Sequence, residues 1–178
     1  MRKEPDPLKV ERLSQVGIVV RDLEATMDFY ERTFGVGNWV VFEGETDYCW
    51  DRGCETVLRG RIAMGYAGKV QFELIQVLEG RTIHLDFLGD RDEGLHHLGF
   101  FVKDLEARLS ACRSRGIEIL QRGVLKQMGL TIEYAYLDTV ETGGVIFEFI
   151  QTRFLGFNVP QSPRIMKAVS RLQRRFAR

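Results

Sequence analysis

The sequence has no apolar run of the length that a membrane-spanning helix needs, which is about 18–20 residues. Its three cysteines, Cys49, Cys54 and Cys112, include no CxxC pair, so neither a disulfide framework nor a cysteine zinc site is indicated. The first residues, MRKEPDPLKVERL, carry charge and two prolines where a signal peptide needs an apolar stretch. We therefore expect a cytoplasmic protein with reduced thiols and no membrane contact.

Net charge is also absent, because 25 Lys and Arg balance 25 Asp and Glu over 178 residues. The charges are unevenly placed. Residues 152–178 hold seven basic and no acidic residues, which leaves 18 basic and 25 acidic residues in the first 151, a net charge of −7. Such an acidic body offers no basic surface to a phosphate backbone, so we expect no nucleic-acid binding.

The basic segment, 152–178, has the pattern of an amphipathic helix. Ser162 and Pro163 are typical of a helix start. Apolar residues then recur on one side, at Ile165, Met166, Val169, Leu172 and Phe176. Three uses are open for this helical extension: docking on the acidic body or on a second subunit, binding the phosphates of a CoA-like substrate, and contact with an anionic membrane. We favour docking, because the apolar stripe needs a partner and the body carries the opposite charge.

An internal repeat organises the first 151 residues. Residues 15–25 read QVGIVVRDLEA and residues 97–107 read HLGFFVKDLEA. Later, residues 68–76 read GKVQFELIQ and residues 143–151 read GGVIFEFIQ. Because both pairs of segments occur in the same order, we interpret the chain as two copies of one module.

Each copy has the pattern of a βαβββ module. A short apolar run precedes Asp22 or Asp104, which are candidate helix N-caps, and a stretch with helical spacing and three strand patterns follow. The fold class is therefore α+β, with two tandem modules. We place the first module at 11–77, a charged linker at 78–94 and the second module at 95–151. Within the first module, 44–59 reads as an irregular polar loop over an opening.

Four polar residues recur at matched positions in strands that are otherwise apolar. Glu148 lies between Phe147 and Phe149, and Glu73 takes the equivalent place in the first copy. Gln15 and His97 are the matched polar residues near the starts of the first strands. A lone buried carboxylate is costly unless it is paired, protonated or bound to a cation. One amide, one imidazole and two carboxylates at symmetric positions suit a divalent metal better than they suit a satisfied polar cluster.

At these residues the sequence resembles the vicinal oxygen chelate superfamily, also called the glyoxalase/bleomycin-resistance family. The resemblance covers about residues 11–151 and rests on the DLEA helix openings, FYERTFG, the FEL and FEF strands and GLHHLGFFVKDLEA. It implies that each module curls into half of an open barrel and that the pair encloses one divalent ion, Zn, Co, Ni or Mn. The family's four ligand positions fall on Gln15, Glu73, His97 and Glu148.

Two branches of that family resemble this sequence most. The second half of the chain resembles methylmalonyl-CoA epimerase, whereas the order Gln, Glu, His, Glu resembles animal-type glyoxalase I. The epimerase branch usually has His and then Gln at the first two ligand positions. It also has a second glutamate base on a strand that here reads GRIAMGYAG, with no acid. Gln at the first position is unlike the extradiol dioxygenase and fosfomycin-modifying branches, and the two carboxylates are unlike the metal-free bleomycin-binding relatives.

Both leading branches imply proton abstraction next to a carbonyl, with the metal stabilising the enolate charge. By resemblance, Glu148 is the expected base, with Glu73 as its symmetric partner, and the enzyme is an isomerase, an epimerase or a lyase. The implied substrate is a small molecule such as a CoA thioester or a glutathione hemithioacetal, and we expect a homodimer. The alternative is a non-catalytic small-molecule binding or resistance protein on the same fold.

Other polar and aromatic residues are weaker candidates for the site. Tyr48 and Trp50 in the long first-module loop, and Lys126 in the matching second-module loop, are the expected substrate contacts. Strand alternation predicts that His96 points to the face opposite His97. We expect His84, in the linker, to be solvated.

Overall fold

A computed structural model describes residues 8–80, 82–91, 93–127, 129–160 and 162–176, apart from the side chains of residues 127 and 172–176. The first half comprises β1 (Gln15–Val19), α1 (Leu23–Phe34), β2 (Gly37–Glu45), β3 (Tyr48–Asp51), β4 (Cys54–Thr56), β5 (Arg59–Ala67) and β6 (Val70–Glu79). The short helix α2 (Ile83–Leu88) follows. The second half comprises β7 (Gly94–Phe101), α3 (Leu105–Arg113), β8 (Ile119–Gln127), β9 (Leu130–Leu137), α4 (Val140–Gly143), β10 (Ile146–Phe154) and β11 (Phe157–Asn158). The last described element is α5 (Pro163–Phe176).

The two main helices begin where the repeated Asp residues predict. The Asp22 carboxylate accepts the backbone N–H of Ala25 at 2.9 Å, and the Asp104 carboxylate accepts that of Ala107 at 3.0 Å. Each bond satisfies an amide that the first helical turn leaves without a partner. The same cap therefore starts the same helix in both halves.

One curled sheet carries both halves. Over the described residues it has eleven strands, in the order β2-β5-β6-β1-β7-β10-β9-β8-β3-β4, and β11 pairs with β10 off this path. The first strands of the two halves, β1 and β7, are antiparallel neighbours at its centre, and they pair in parallel with β6 and β10, respectively. The predicted α+β fold of two βαβββ modules with a C-terminal helix is confirmed.

The sheet has a different apolar layer on each face. On one face α1 covers a cluster that includes Leu23 and Leu74, and α3 covers a cluster that includes Leu109 and Phe149. On the other face the two halves share a third cluster, which includes Met64 and Tyr136. Strands that lie between two apolar layers, such as β6 and β10, are buried on both sides, which explains their nearly continuous apolar sequence.

Two segments differ from their predictions. The stretch 44–59 is not an irregular loop, because it contains the β3–β4 hairpin, whose strand β3 pairs with β8 of the second half. The charged linker contains α2, whose N-cap Thr82 is fully buried. The elements inside these segments, β3, β4 and α2, are each too short to show a clear period, and they are held by partners that are distant in sequence.

The helix α5 packs along β2 and β5 of the same chain. Met166 contacts the shared cluster and Ser170 is fully buried, whereas Ile165 and Val169 remain 52% and 38% exposed. The described part of the predicted apolar stripe therefore docks by one edge, and the side chains of Leu172 and Phe176 lie outside the described residues. Within the described residues, no helix is long and apolar enough to cross a membrane.

The apolar layer under α1 can be tested with Leu74→Ala, because Leu74 has no exposed surface and its truncation leaves a cavity. We expect the free energy of unfolding to fall by about 2–5 kcal/mol. Leu155→Ala is the control, since Leu155 is 70% exposed, and it should cost less than about 0.5 kcal/mol. Chemical denaturation measures both, and equal losses would contradict the assignment of this core.

Candidate metal centre

The four matched polar residues lie on the four central strands, in the order β6, β1, β7 and β10. The strand register places Gly17 of β1 beside both Glu73 of β6 and His97 of β7. It places Gly99 of β7 beside both Gln15 of β1 and Glu148 of β10. Each glycine of the repeat therefore lies between two of the polar side chains. The antiparallel pairing of β1 with β7 makes this arrangement symmetric.

The absence of a side chain at these two glycines gives the polar groups their space. A Cβ atom added at Gly17 would overlap the imidazole ring of His97. A Cβ atom added at Gly99 would lie 2.6 Å from Oε1 of Gln15. The glycines form the floor of the site, and side chains from both halves meet above that floor.

The polar atoms converge but do not satisfy one another. Nε2 of His97 lies 3.1 Å from Oε2 of Glu148 and 3.3 Å from Oε2 of Glu73. Neither pair of atoms has hydrogen-bond geometry, so Nε2 of His97 and the two carboxylate oxygens are buried without a hydrogen-bond partner. Oε1 of Gln15 is buried without a partner as well. All four residues are at most 6% exposed. Buried polar atoms normally have partners, so four that share one space indicate a binding site.

The two neighbouring carboxylates favour the protonated form of His97. Burial alone would lower the pKa of His97, but the carboxylates of Glu148 and Glu73 outweigh that effect and raise the pKa to about 9. Burial raises the pKa of Glu148, and the neighbouring His97 opposes the rise. A proton on His97 therefore neutralises part of the carboxylate charge when no other cation is present.

His96 supports His97 from the same side of the strand. In the β1–β7 pairing, Gly17 is opposite His97 and Ile18 is opposite Leu95, so His96 is the extra residue of a β-bulge. The prediction that His96 points away from His97 is therefore wrong. Strand alternation fails at a bulge, and nothing in the local sequence indicates one here.

The hydrogen bonds of His96 define which nitrogen of His97 is available. Nε2 of His96 lies 3.3 Å from the carbonyl oxygen of Ile83, which only accepts, so we assign the proton of His96 to Nε2. Burial keeps the pKa of His96 far below its usual range, so Nδ1 of this neutral ring accepts from Nδ1–H of His97 at 3.0 Å. The neutral form of His97 then presents a bare Nε2 to the carboxylates. This is the arrangement that a metal-ligating histidine needs.

The prediction that His84 is solvated is wrong. The residue is 2% exposed instead of solvated, and burial lowers its pKa to about 3. Its Nδ1 lies 2.9 Å from Oγ1 of Thr82, and its Nε2 lies 3.2 Å from the hydroxyl of Tyr136, the residue opposite Glu148 across the β9–β10 pair. The helix α2 thus supports the second-half ligands. No local signal identified it, because these contacts join three distant segments.

A cavity opens from these residues along the shared apolar cluster. Its polar lining includes Gln15, Glu73, Glu148, His84, Tyr134 and Tyr136. Its other walls are largely aliphatic, with Leu58, Ile62, Met64, Ile75, Leu125 and Ile132 among them. A mainly apolar cavity with a few convergent polar groups is typical of a small-molecule site.

The three predicted substrate contacts lie in different places. Lys126 lines the outer mouth of the cavity, where its backbone N–H donates to Asp47 at 2.6 Å. Tyr48 is 38% exposed at the start of β3 and is not part of the cavity lining. Trp50 packs against the cluster under α3, on the other face of the sheet. The β3–β4 hairpin carries both aromatic rings away from the cavity.

The donor set fits a divalent cation. The ligand atoms of Glu73, His97 and Glu148 all lie within 4.8 Å of one another. With the amide oxygen of Gln15 they offer one nitrogen and three oxygens, a set that suits Zn²⁺ and neighbouring divalent metals. The fold and the site together define a protein of paired βαβββ modules with a candidate metal centre between them.

The comparisons with known proteins agree with that class. The profile of the Glyoxalase/Bleomycin resistance protein/Dioxygenase superfamily matches residues 14–136, and the chain belongs to this superfamily. It is 28% identical over 145 residues to the uncharacterized protein YqjC of Bacillus subtilis (strain 168), covering 80% of this chain and 93% of that one.

Solved structures show the same fold. Methylmalonyl-CoA epimerase from Mycobacterium tuberculosis is similar with a TM-score of 0.58 and 25% identity, over 79% of this chain and 87% of that chain. A mutant of 4-hydroxymandelate synthase from Streptomyces coelicolor has a TM-score of 0.58 and 16% identity, over 94% of this chain and 55% of the other. These neighbours support the fold.

Gly17→Ala tests the role of the glycine floor. The added methyl group overlaps the His97 ring and must displace it, so we expect Zn²⁺ affinity to fall by about 100-fold or more. Gly143→Ala is the matched control, because its added Cβ would meet nothing closer than Thr139 at 3.9 Å. Titration calorimetry measures the affinity, and circular dichroism checks the fold. Unchanged Zn²⁺ affinity in a folded Gly17→Ala variant would contradict the placement of the metal site above Gly17.

The raised pKa of His97, about 9, predicts that metal and proton compete. Below that pKa the metal-free ring is protonated, and binding must release the proton. Zn²⁺ affinity should therefore rise by roughly tenfold per pH unit between about pH 6 and about pH 8. Calorimetry in buffers of different ionisation enthalpy counts the released proton. Affinity independent of pH would show that His97 is not the competing group, and His97→Gln should abolish the dependence.

Proposed function

We propose that the chain is a metal-dependent isomerase, epimerase or lyase that removes a proton next to a carbonyl group. One observation carries the proposal: four buried polar atoms from both halves of the chain converge without hydrogen-bond partners at the end of an apolar cavity. Superfamily membership is consistent with such chemistry and does not select the reaction.

Gln15, Glu73, His97 and Glu148 would hold one divalent ion, Zn, Co, Ni or Mn. When bound, that ion supplies Lewis-acid stabilisation of negative charge on substrate oxygens. The hydrogen bond from His97 to His96 orients the imidazole ring, and Tyr136, opposite Glu148, restricts the position of that carboxylate. The chain's own contribution is thus a rigid, water-poor site with fixed ligand directions.

Glu148, freed from or loosely held by the metal, is the proposed base, with Glu73 as its symmetric partner. Both carboxylates line the cavity, within reach of a molecule bound there. Burial raises the pKa of Glu148, and a carboxylate with a raised pKa is a stronger base. Return of the proton to the same carbon gives epimerisation, and return to the neighbouring carbon gives isomerisation.

The resemblance to methylmalonyl-CoA epimerase and to glyoxalase I suggests a CoA thioester or a glutathione hemithioacetal as substrate, whereas the charges that line the cavity and its mouth disfavour such anions. A homodimer and a cytoplasmic location stay predictions. The alternative function, binding or sequestering a small molecule without turnover, needs the same cavity and no base.

Solvent exchange in heavy water tests the proposal directly. We expect protein purified without added metal to contain a divalent ion by elemental analysis. We also expect the metal-loaded protein to catalyse deuterium incorporation into at least one carbonyl compound, at the carbon next to its carbonyl group. The enzyme proposal would be refuted if the purified protein held no divalent ion and if adding Zn, Co, Ni or Mn did not raise the rate of deuterium exchange. Tight ligand binding without exchange would favour the binding-protein alternative.

Glu148→Gln tests the choice of base. The amide keeps the size of the carboxylate but cannot take a proton, so the exchange rate should fall by about 100- to 10,000-fold. Elemental analysis of the variant separates loss of the base from loss of the metal. Glu31→Gln, on the exposed surface of α1, is the matched control and should leave the rate unchanged. Full exchange by a metal-loaded Glu148→Gln protein would refute the assignment.

A further inference from the structure

The inner cavity is lined without a positive charge. Among the described residues that form its walls, none is Lys or Arg. The lining residue other than a proposed ligand that could carry a positive charge is His84, whose pKa burial lowers to about 3, so it stays neutral at physiological pH. A substrate carboxylate or phosphate that entered would lose its hydration and find no cationic side chain in return.

The candidate metal centre adds no net charge of its own. Two carboxylates, Glu73 and Glu148, would offset the two positive charges of a divalent ion, and Gln15 and neutral His97 contribute none. The centre therefore lacks the excess positive charge that would attract an anion over an uncharged ligand.

The mouth of the cavity is acidic. Glu43, Glu45 and Asp47 line it against a single cation, Lys126, among the described lining residues. Arg61 lies beside Glu43, with Nε at 3.2 Å, but the same guanidinium also pairs with Glu24. An approaching polyanion meets like charge at this entrance, which slows and weakens its binding.

The basic helix α5 does not reverse this balance. Its described cations, Arg164, Lys167 and Arg171, are exposed, and none of them lines the cavity or its mouth. The part of α5 that approaches the shared cluster is Met166, which is apolar. The described cations of α5 therefore do not guide a phosphate or a carboxylate into the site.

We propose that the substrate is an uncharged molecule with an apolar body and two adjacent oxygen atoms, and that CoA thioesters and other polyanions are excluded. This inference rests on the proposed function, because the adjacent oxygens are the groups that the metal centre would take. The aliphatic walls hold the body, and the acidic mouth selects against negative charge.

A matched pair of ligands tests the proposal on cobalt-loaded protein. The dione 1-phenyl-1,2-propanedione and the anion phenylglyoxylate have nearly the same size and the same adjacent oxygens, and they differ by a methyl group in place of a carboxylate oxygen. Calorimetry measures affinity, and the visible absorption of Co²⁺ reports whether the ligand reaches the metal. We expect the dione to bind at least roughly tenfold more tightly, and acetyl-CoA to bind more weakly than either.

Charge reversal at the mouth supplies the control. Glu45→Lys should strengthen phenylglyoxylate binding and make it more sensitive to salt, whereas Glu31→Lys, on α1 across the sheet, should change neither. Tighter binding of phenylglyoxylate or acetyl-CoA by the wild-type protein would overturn the proposal. So would failure of all three ligands to bind protein that holds cobalt. If the protein binds no metal, the proposed function is refuted. The relative affinities of the metal-free protein for the dione, phenylglyoxylate and acetyl-CoA would still decide the charge preference.

Discussion

The antiparallel pairing of β1 with β7 is the constraint on which the site depends. Its register sets Gln15 opposite Gly99 and Gly17 opposite His97, so the polar residue of each half lies against the glycine of the other. The parallel neighbours β6 and β10 then bring Glu73 and Glu148 to the same two glycines. A shift of one residue would turn the ligands of one half to the face opposite those of the other, and a side chain at either glycine would occupy the ligands' space.

Burial of two carboxylates beside one imidazole would be costly without a cation. The raised pKa of His97 is one response, since a proton there offsets part of the charge. A divalent ion offsets all of it and also supplies partners for the four unsatisfied atoms. The hydrogen bonds through His96 to Ile83, and through His84 to Thr82, anchor the second-half ligands in α2. The segment between the halves therefore supports the site as well as joining them.

Charge is separated by region across the molecule. The cavity walls are aliphatic, the mouth is acidic, and the described basic side chains of α5 face solvent. Because electrostatic attraction acts most strongly where water is excluded, the proposed preference for an uncharged ligand depends on the inner region. The neighbours share the fold, and that preference rests on the lining of this cavity alone.

The sequence by itself determined the repeat, the fold class and the matched polar residues, because these follow from local patterns: strand alternation, Asp caps and a polar residue at the same place in each copy. Strand alternation also holds around Glu148, since Ile146 and Ile150 lie in the shared cluster and Glu148 lines the cavity beside Ile150. Only the tertiary structure decided the bulge at His96, the burial of His84 and the pairing of β3 with β8. Each of these depends on contacts between segments that are distant in sequence. A short segment adopts the geometry of the surface on which it packs, and its own residues do not specify that surface.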